Sequence, residues 1–108
     1  MLTLAGTNTI AGVAGSSSAV TCTILGAEVD AGTPTYKVLA QAQLATSPAT
    51  VYTAPSAPAT ALIKSVHLAN GTGSEVTGVS LFINGTAAAN RITGALTIPA
   101  NGMAVYDS

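Results

Sequence analysis

The sequence predicts an all-β domain: an antiparallel β-sandwich or jelly-roll-like fold, with an N-terminal arm or extra strands. Three observations predict it. Apolar and polar residues alternate with period two in one segment after another, the pattern of half-buried strands. Val, Ile and Thr are concentrated in those segments, and Gly, Pro or Asn stand at their boundaries. The dipeptide Asn-Gly recurs at 70–71, 84–85 and 101–102, each time beside an alternating run. Asn and Gly tolerate the positive φ angles that two-residue hairpin turns of type I′ require. The 108 residues fit one domain, or one domain with an arm.

The elements follow in order. The opening "MLTLAGTNTI" has no basic n-region and no continuous apolar core, so no secretory signal is expected there. The segment up to about Gly15 is predicted to be an arm, tied on by "GVAGSSSAV" (12–20), a Gly/Ser-rich hinge. In "SAVTCTIL", Val20, Cys22 and Ile24 share one face and Thr21 and Thr23 the other. "TYKVLAQAQLAT" alternates through Tyr36, Val38, Ala40, Ala42 and Leu44, although its Leu, Ala, Gln and Lys also favour helix. The surrounding strands decide for strand.

Residues 45–60 hold Pro48, Pro55 and Pro58 among Ala, Ser and Thr, the composition of an extended connector, with Val51-Tyr52-Thr53 pairing as an edge strand. "ALIKSVHLAN" reads as a strand over 61–69, apolar on both faces as a central strand with two covered surfaces would be. Strands at 76–83, 95–98 and 103–106 complete a meander, with a longer connection opened by Asn84-Gly85. The expected core is Val66, Leu68, Val79, Leu81, Ile83, Leu96 and Ile98. The organisation is therefore an N-terminal arm and strands (1–44), the connector (45–60) and a sandwich-core meander (61–108). A piece of about 58 residues buries only about 60% of its extended-chain surface, so the parts must pack together or against other copies.

Charge is scarce. Charged residues are 6% of the chain against roughly 25% in ordinary soluble domains, hydrophobic residues are 48%, and the net charge is −1. Lys37, Lys64 and Arg91 are scattered, which excludes the clustered cations that phosphate neutralisation needs and so argues against a nucleic-acid partner. No run approaches the eighteen or so apolar residues of a membrane helix, so no membrane partner is expected. So uncharged a surface is poorly protected against association, and covering by neighbours is the expectation.

The residue types that carry chemistry are few and show no site spacing. Cys22 is the one cysteine, so neither an internal disulfide nor a thiolate metal cluster can form; it reads as a small buried apolar residue. His67, the one histidine, lies in mid-strand, and Glu28, Asp30, Glu75 and Asp107 show no ligand spacing relative to it. "GAEVDAG" offers two carboxylates where Ca²⁺ takes six to eight oxygens, and reads as a solvated turn. Gly12 and Gly15 are not followed by the Lys-Ser/Thr of a phosphate loop. Asn70-Gly71-Thr72 and Asn84-Gly85-Thr86 match the glycosylation pattern, but without an export signal the turn reading prevails. The expectation is a non-enzyme with no catalytic residue, cofactor or metal.

The stretch from Tyr36 to Asp107, "YKVLAQAQLATSPATVYTAPSAPATALIKSVHLANGTGSEVTGVSLFINGTAAANRITGALTIPANGMAVYD", resembles small structural proteins of tailed bacteriophages. The resemblance lies in a "VYTAP" strand, then "ALIKSVHLANGTG", "VSLFINGTAAANRI" and a closing "LTIPANGMAVYD". It implies a β-sandwich on the head, neck or tail of a virion, foremost a head decoration or cement protein, with a major capsid or a tail or neck protein as partner. It also implies assembly in the host cytoplasm, which accounts for an adhesive, hairpin-rich chain with no export signal. Self-association is expected from the low charge, with a trimer as the assumed form. Two other classes stand beside this one. A sugar-binding module on a phage fibre would draw on Tyr36, Tyr52, Tyr106 and Phe82, the only aromatics; a small enzyme or inhibitor has no residue pattern behind it.

Overall fold

The computed structural model describes residues 2–107. Among them nine strands follow one another: β1 (Leu2–Leu4), β2 (Thr9–Val13), β3 (Val20–Asp30), β4 (Thr33–Gln43), β5 (Ala49–Thr53), β6 (Thr60–Asn70), β7 (Val76–Ile83), β8 (Leu96–Ile98) and β9 (Met103–Asp107). A 3₁₀ turn over Ala88–Asn90 lies between β7 and β8. They form two antiparallel sheets. The larger has the order β1-β6-β3-β4, with β9 also pairing β6; the smaller has the order β5-β2-β7-β8. The apolar faces close on each other as a sandwich.

Alternation explains the inner faces. In β3, Val20, Cys22 and Ile24 are fully buried while Thr21 and Thr23 are half-buried on the other side. β6 puts Ala61, Ile63, Val66 and Leu68 into the same core, and β7 and β8 add Val79, Leu81 and Ile98 from the facing sheet. Each such large aliphatic side chain contributes roughly 1.5–3 kcal/mol on burial. Of the core expected from the sequence, Val66, Leu68, Val79, Leu81 and Ile98 are buried; Ile83 and Leu96 are partly buried and pack against it. The segment with mixed helix and strand preference is β4, a strand.

The N-terminal arm is corrected. β1 pairs β6, with Leu2 opposite Ile63 and Leu4 opposite Ala61. β2 lies inside the smaller sheet between β5 and β7, and its Ile10 and Ala11 are completely buried. These are the extra strands of the alternative reading. A methyl group on Gly12 would stand 2.8 Å from Leu44 Cδ2, so this strand packs through the absence of a side chain.

The meander is corrected too. The chain changes sheet after β1, β2, β4, β5, β6 and β8; only β3–β4 and β7–β8 are consecutive strands that pair. Consequently 61–107 holds no complete sandwich, because β3 pairs β6 and β2 pairs β7. The three Asn-Gly dipeptides are not type I′ hairpin turns. Asn70-Gly71 begins the crossing from β6 to β7, and neither residue has positive φ. At Asn101-Gly102, between β8 and β9, only Asn101 does, at 53°. Asn84 (59°) and Gly85 (148°) open the long β7–β8 connection. The two-residue turn with both φ positive stands instead at Ala31 (53°) and Gly32 (79°), joining β3 to β4.

Candidate functional site

The larger sheet turns its second face outward, and the register shows what stands on it. Residues directly opposite on neighbouring strands share a face. Val105, His67, Thr23 and Gln41 form one row across β9, β6, β3 and β4; Met103, Ala69, Thr21 and Gln43 form the next. On the other side of that first row come Ser65, Leu25 and Val38, then Leu62, Ala27 and Tyr36. Tyr36 (76% exposed), Met103 (58%), Val38 (55%) and Val105 (47%) are the exposed large hydrophobic residues among those described, and all four lie on this one face.

Two adjacent bulges shape its middle. Ile24 pairs Ala40 but Leu25 pairs Val38, so Leu39 is an extra residue in β4. Leu25 pairs Ser65 but Gly26 pairs Ile63, so Lys64 is an extra residue in β6. Bulges bend their strand and re-aim side chains. Gly26 is what allows this one, because a Cβ there would overlap the Leu62 carbonyl oxygen. The result is a groove of about 520 Å³ lined chiefly by Leu25, Ala27, Tyr36, Val38, Leu62 and Lys64. It is open and mostly apolar, with two lysines, Lys37 and Lys64, in its lining.

The charged groups fall elsewhere. Glu28 on β3 accepts a hydrogen bond from the Tyr52 hydroxyl (2.7 Å) and lies 2.8 Å from Lys37 Nζ. Lys37, through its bond and charge, and then Tyr52 hold the Glu28 carboxyl below the usual carboxylate range, against the opposing effect of desolvation. The Tyr52 phenol is shifted upward, first by burial and then by the bond to Glu28. Arg91 lies over the Phe82 ring, 5.8 Å from its centroid. Lys64 forms no ion pair among the described residues.

The residues weighed for chemistry are dispersed. His67 is half-buried between Thr23 and Val105, with no acid or second histidine assembled around it among the described residues. Asp30 and Glu75 are exposed, and the side chain of Asp107 lies outside the described part of the chain. Cys22 is buried, which pushes its thiol up to about 12 and keeps it protonated. Among the described residues no three His, Cys, Asp or Glu side chains come together as a metal site. Nor do the aromatics form a sugar platform. Tyr36 is exposed, Tyr52 and Phe82 are buried, and Tyr106 is directed with Val66 toward the core.

Asn70 takes a role the sequence reading missed. It is 2% exposed, and its amide nitrogen lies 2.8 Å from the Ser74 carbonyl oxygen, 3.2 Å from that of Ile98 and 3.1 Å from that of Pro99. Its amide oxygen accepts from the backbone and hydroxyl of Thr72. It stitches the β6–β7 crossing to the β8–β9 crossing and is unavailable as a glycan acceptor. The exposed face was also missed as a site. Its signal was the apolar composition of β6 on both faces, together with Met103 and Val105 at alternate positions in β9.

Comparison of the chain with protein-family models, with curated proteins and with solved structures returns no match.

Proposed function

We propose that the chain is a non-enzymatic structural protein of a bacteriophage virion, a head decoration or cement protein that docks through the outer face of its larger sheet. The observation that carries this is the gathering of Tyr36, Val38, Met103 and Val105 on one face. A sheet face that leaves large apolar side chains exposed along both β4 and β9 is suited to a protein contact. Bare fixed charge on it is confined to Lys64 among the described side chains, so an apolar partner surface meets little desolvation cost there. The sequence resemblance supplies the virion, and a major capsid protein is the partner it implies; a neck or tail site is the alternative. The dispersed aromatics favour this reading over a sugar-binding module.

The test uses particles of the phage that encodes the chain. Mass spectrometry of purified virions should find it at a fixed ratio to the major capsid protein. Particles assembled without it should take up added protein saturably, and the Met103→Glu/Val105→Glu variant should fail to bind while keeping its circular dichroism spectrum. Virions devoid of the chain, or normal uptake of the variant, would overturn the proposal.

A further inference from the structure

The three Asn-Gly pairs are chemically identical in sequence and stand in three different environments in the fold. In such a pair the glycine nitrogen can attack the side-chain carbon Cγ of the asparagine, because glycine has no side chain to obstruct the approach. The attack needs a glycine N–H that serves no acceptor and an asparagine amide that is free to turn. At Asn70-Gly71 neither holds. The Gly71 N–H donates to the Ala19 carbonyl oxygen (3.2 Å), and the buried Asn70 amide is bonded through both its nitrogen and its oxygen. At Asn101-Gly102 the asparagine is exposed, but the Gly102 N–H is closed into a turn on the Pro99 carbonyl oxygen (2.9 Å). At Asn84-Gly85 the asparagine is exposed, and the Gly85 N–H meets no acceptor among the described residues. The Asn84 amide nitrogen is likewise without a partner among them, while its amide oxygen accepts from the Thr9 N–H at 3.3 Å.

We infer that Asn84 is a site of spontaneous modification, converted to aspartate and isoaspartate in the folded protein while Asn70 and Asn101 persist as asparagine. The Gly85 nitrogen gives its proton to hydroxide and forms a bond to Asn84 Cγ. The Cγ–Nδ2 bond then breaks, the side-chain nitrogen leaves as ammonia, and a five-membered succinimide remains. Water opens that ring. Cleavage of the new bond at Cγ gives aspartate; cleavage at the main-chain carbonyl gives isoaspartate, whose backbone runs through the former side chain. Water and hydroxide are the only co-reactants. The Thr9 N–H stands on the oxygen that becomes negative as Gly85 adds, the place where a fixed backbone donor lowers the barrier. The two products differ in consequence. Aspartate keeps an oxygen for the Thr9 N–H and adds one negative charge. Isoaspartate lengthens the main chain after β7, where Asn90 Nδ2 donates to the Asn84 carbonyl oxygen (3.3 Å).

This goes beyond the docking proposal and does not depend on it. The test holds the full folded chain at pH 8 for several weeks and follows each asparagine by tandem mass spectrometry of tryptic peptides. Cleavage after Lys64 and Arg91 puts Asn70 and Asn84 on one peptide and Asn101 on another. Asn84 should show the mass change of amide-to-acid conversion, with its products eluting as two isomers. Its rate should exceed that of Asn101 by about tenfold, the effect of one hydrogen bond on a barrier. Asn70 should be slower than Asn101. In guanidinium chloride, where the shared dipeptide alone decides, the three rates should converge. Conversion of Asn70 or Asn101 as fast as that of Asn84 in the folded chain would overturn the inference. So would an Asn84 that stays intact in the folded chain, or the same preference for Asn84 in denaturant, which would assign the selectivity to sequence rather than to the fold.

Discussion

The Tyr52 hydroxyl, on the edge strand of the smaller sheet, donates a 2.7 Å hydrogen bond to the carboxylate of Glu28 in the larger sheet. Lys37 reaches the other oxygen of the same carboxylate at 2.8 Å. One acid thus ties β3 to β4 by charge and to β5 across the sandwich, at the end from which the β3–β4 hairpin continues.

Tyr52→Phe keeps the ring and removes the bond, and should cost about 1 kcal/mol in urea unfolding. The Glu28 carboxyl titrates lower in the folded chain than its ordinary value of 4.5, so its contribution is full above that value and is lost as pH falls below it. Melting followed from pH 6 to pH 3 should therefore show an acid limb that is shallower in Glu28→Gln. Equal acid limbs would mean the carboxylate is not held as described.

Asn70→Ala removes the amide that serves the Ile98 and Pro99 carbonyls and should destabilise by about 1–3 kcal/mol. Asn70→Asp should be no milder, since a carboxylate has no hydrogens to donate to them. A melting temperature equal to wild type in either variant would remove Asn70 from its place as the stitch between crossings.

Two glycines that look alike in sequence should respond differently to valine. Gly85 has φ 148°, and a Cβ would stand 2.7 Å from Asn90 Oδ1, so Gly85→Val should destabilise clearly. Gly71 lacks positive φ and has open space around it, so Gly71→Val should fall within about 0.5 kcal/mol of wild type. Denaturant midpoints of the two variants decide this.

Cys22 should resist thiol reagents at pH 8 in the folded chain and react fully in denaturant. Its thiol, ordinarily near 9.0, is pushed up to about 12 by burial. A raised folded value gives stability that is complete below pH 9 and is lost as pH rises toward 12. Cys22→Ala should flatten that alkaline limb, and rapid labelling of the native wild type would contradict the burial.

The strands with large alternating side chains were legible, because period two is a local signal: Val20, Cys22 and Ile24 in β3, and Val79 and Leu81 in β7. β2 was not, because "TIAGV" reaches the core through Ala11 and a bare Gly12 rather than through a run of large residues. Asn-Gly reported a local tendency to turn. It could not report that the side chain of Asn70 is claimed by carbonyls at Ile98 and Pro99, or that the strands on either side belong to different sheets. The outer face was half legible. β6 displayed two apolar sides, but which one closes on the second sheet depends on pairings with β3 and β9 far along the chain.

The repeated crossing between sheets also sets the order in which the protein can come into being. Leu2 waits for Ile63, and Ile10 for Ile83. As the chain leaves the ribosome, β3 and β4 are the first strands able to find each other, β5 can then join β2, and the larger sheet gains its third strand only when β6 emerges. Loop closure over such spans is required before most native contacts can reward it. Most of the native pairing therefore waits for β6 and β7 to be made, and a chain that stops short of β7 leaves β2 without its inner neighbour.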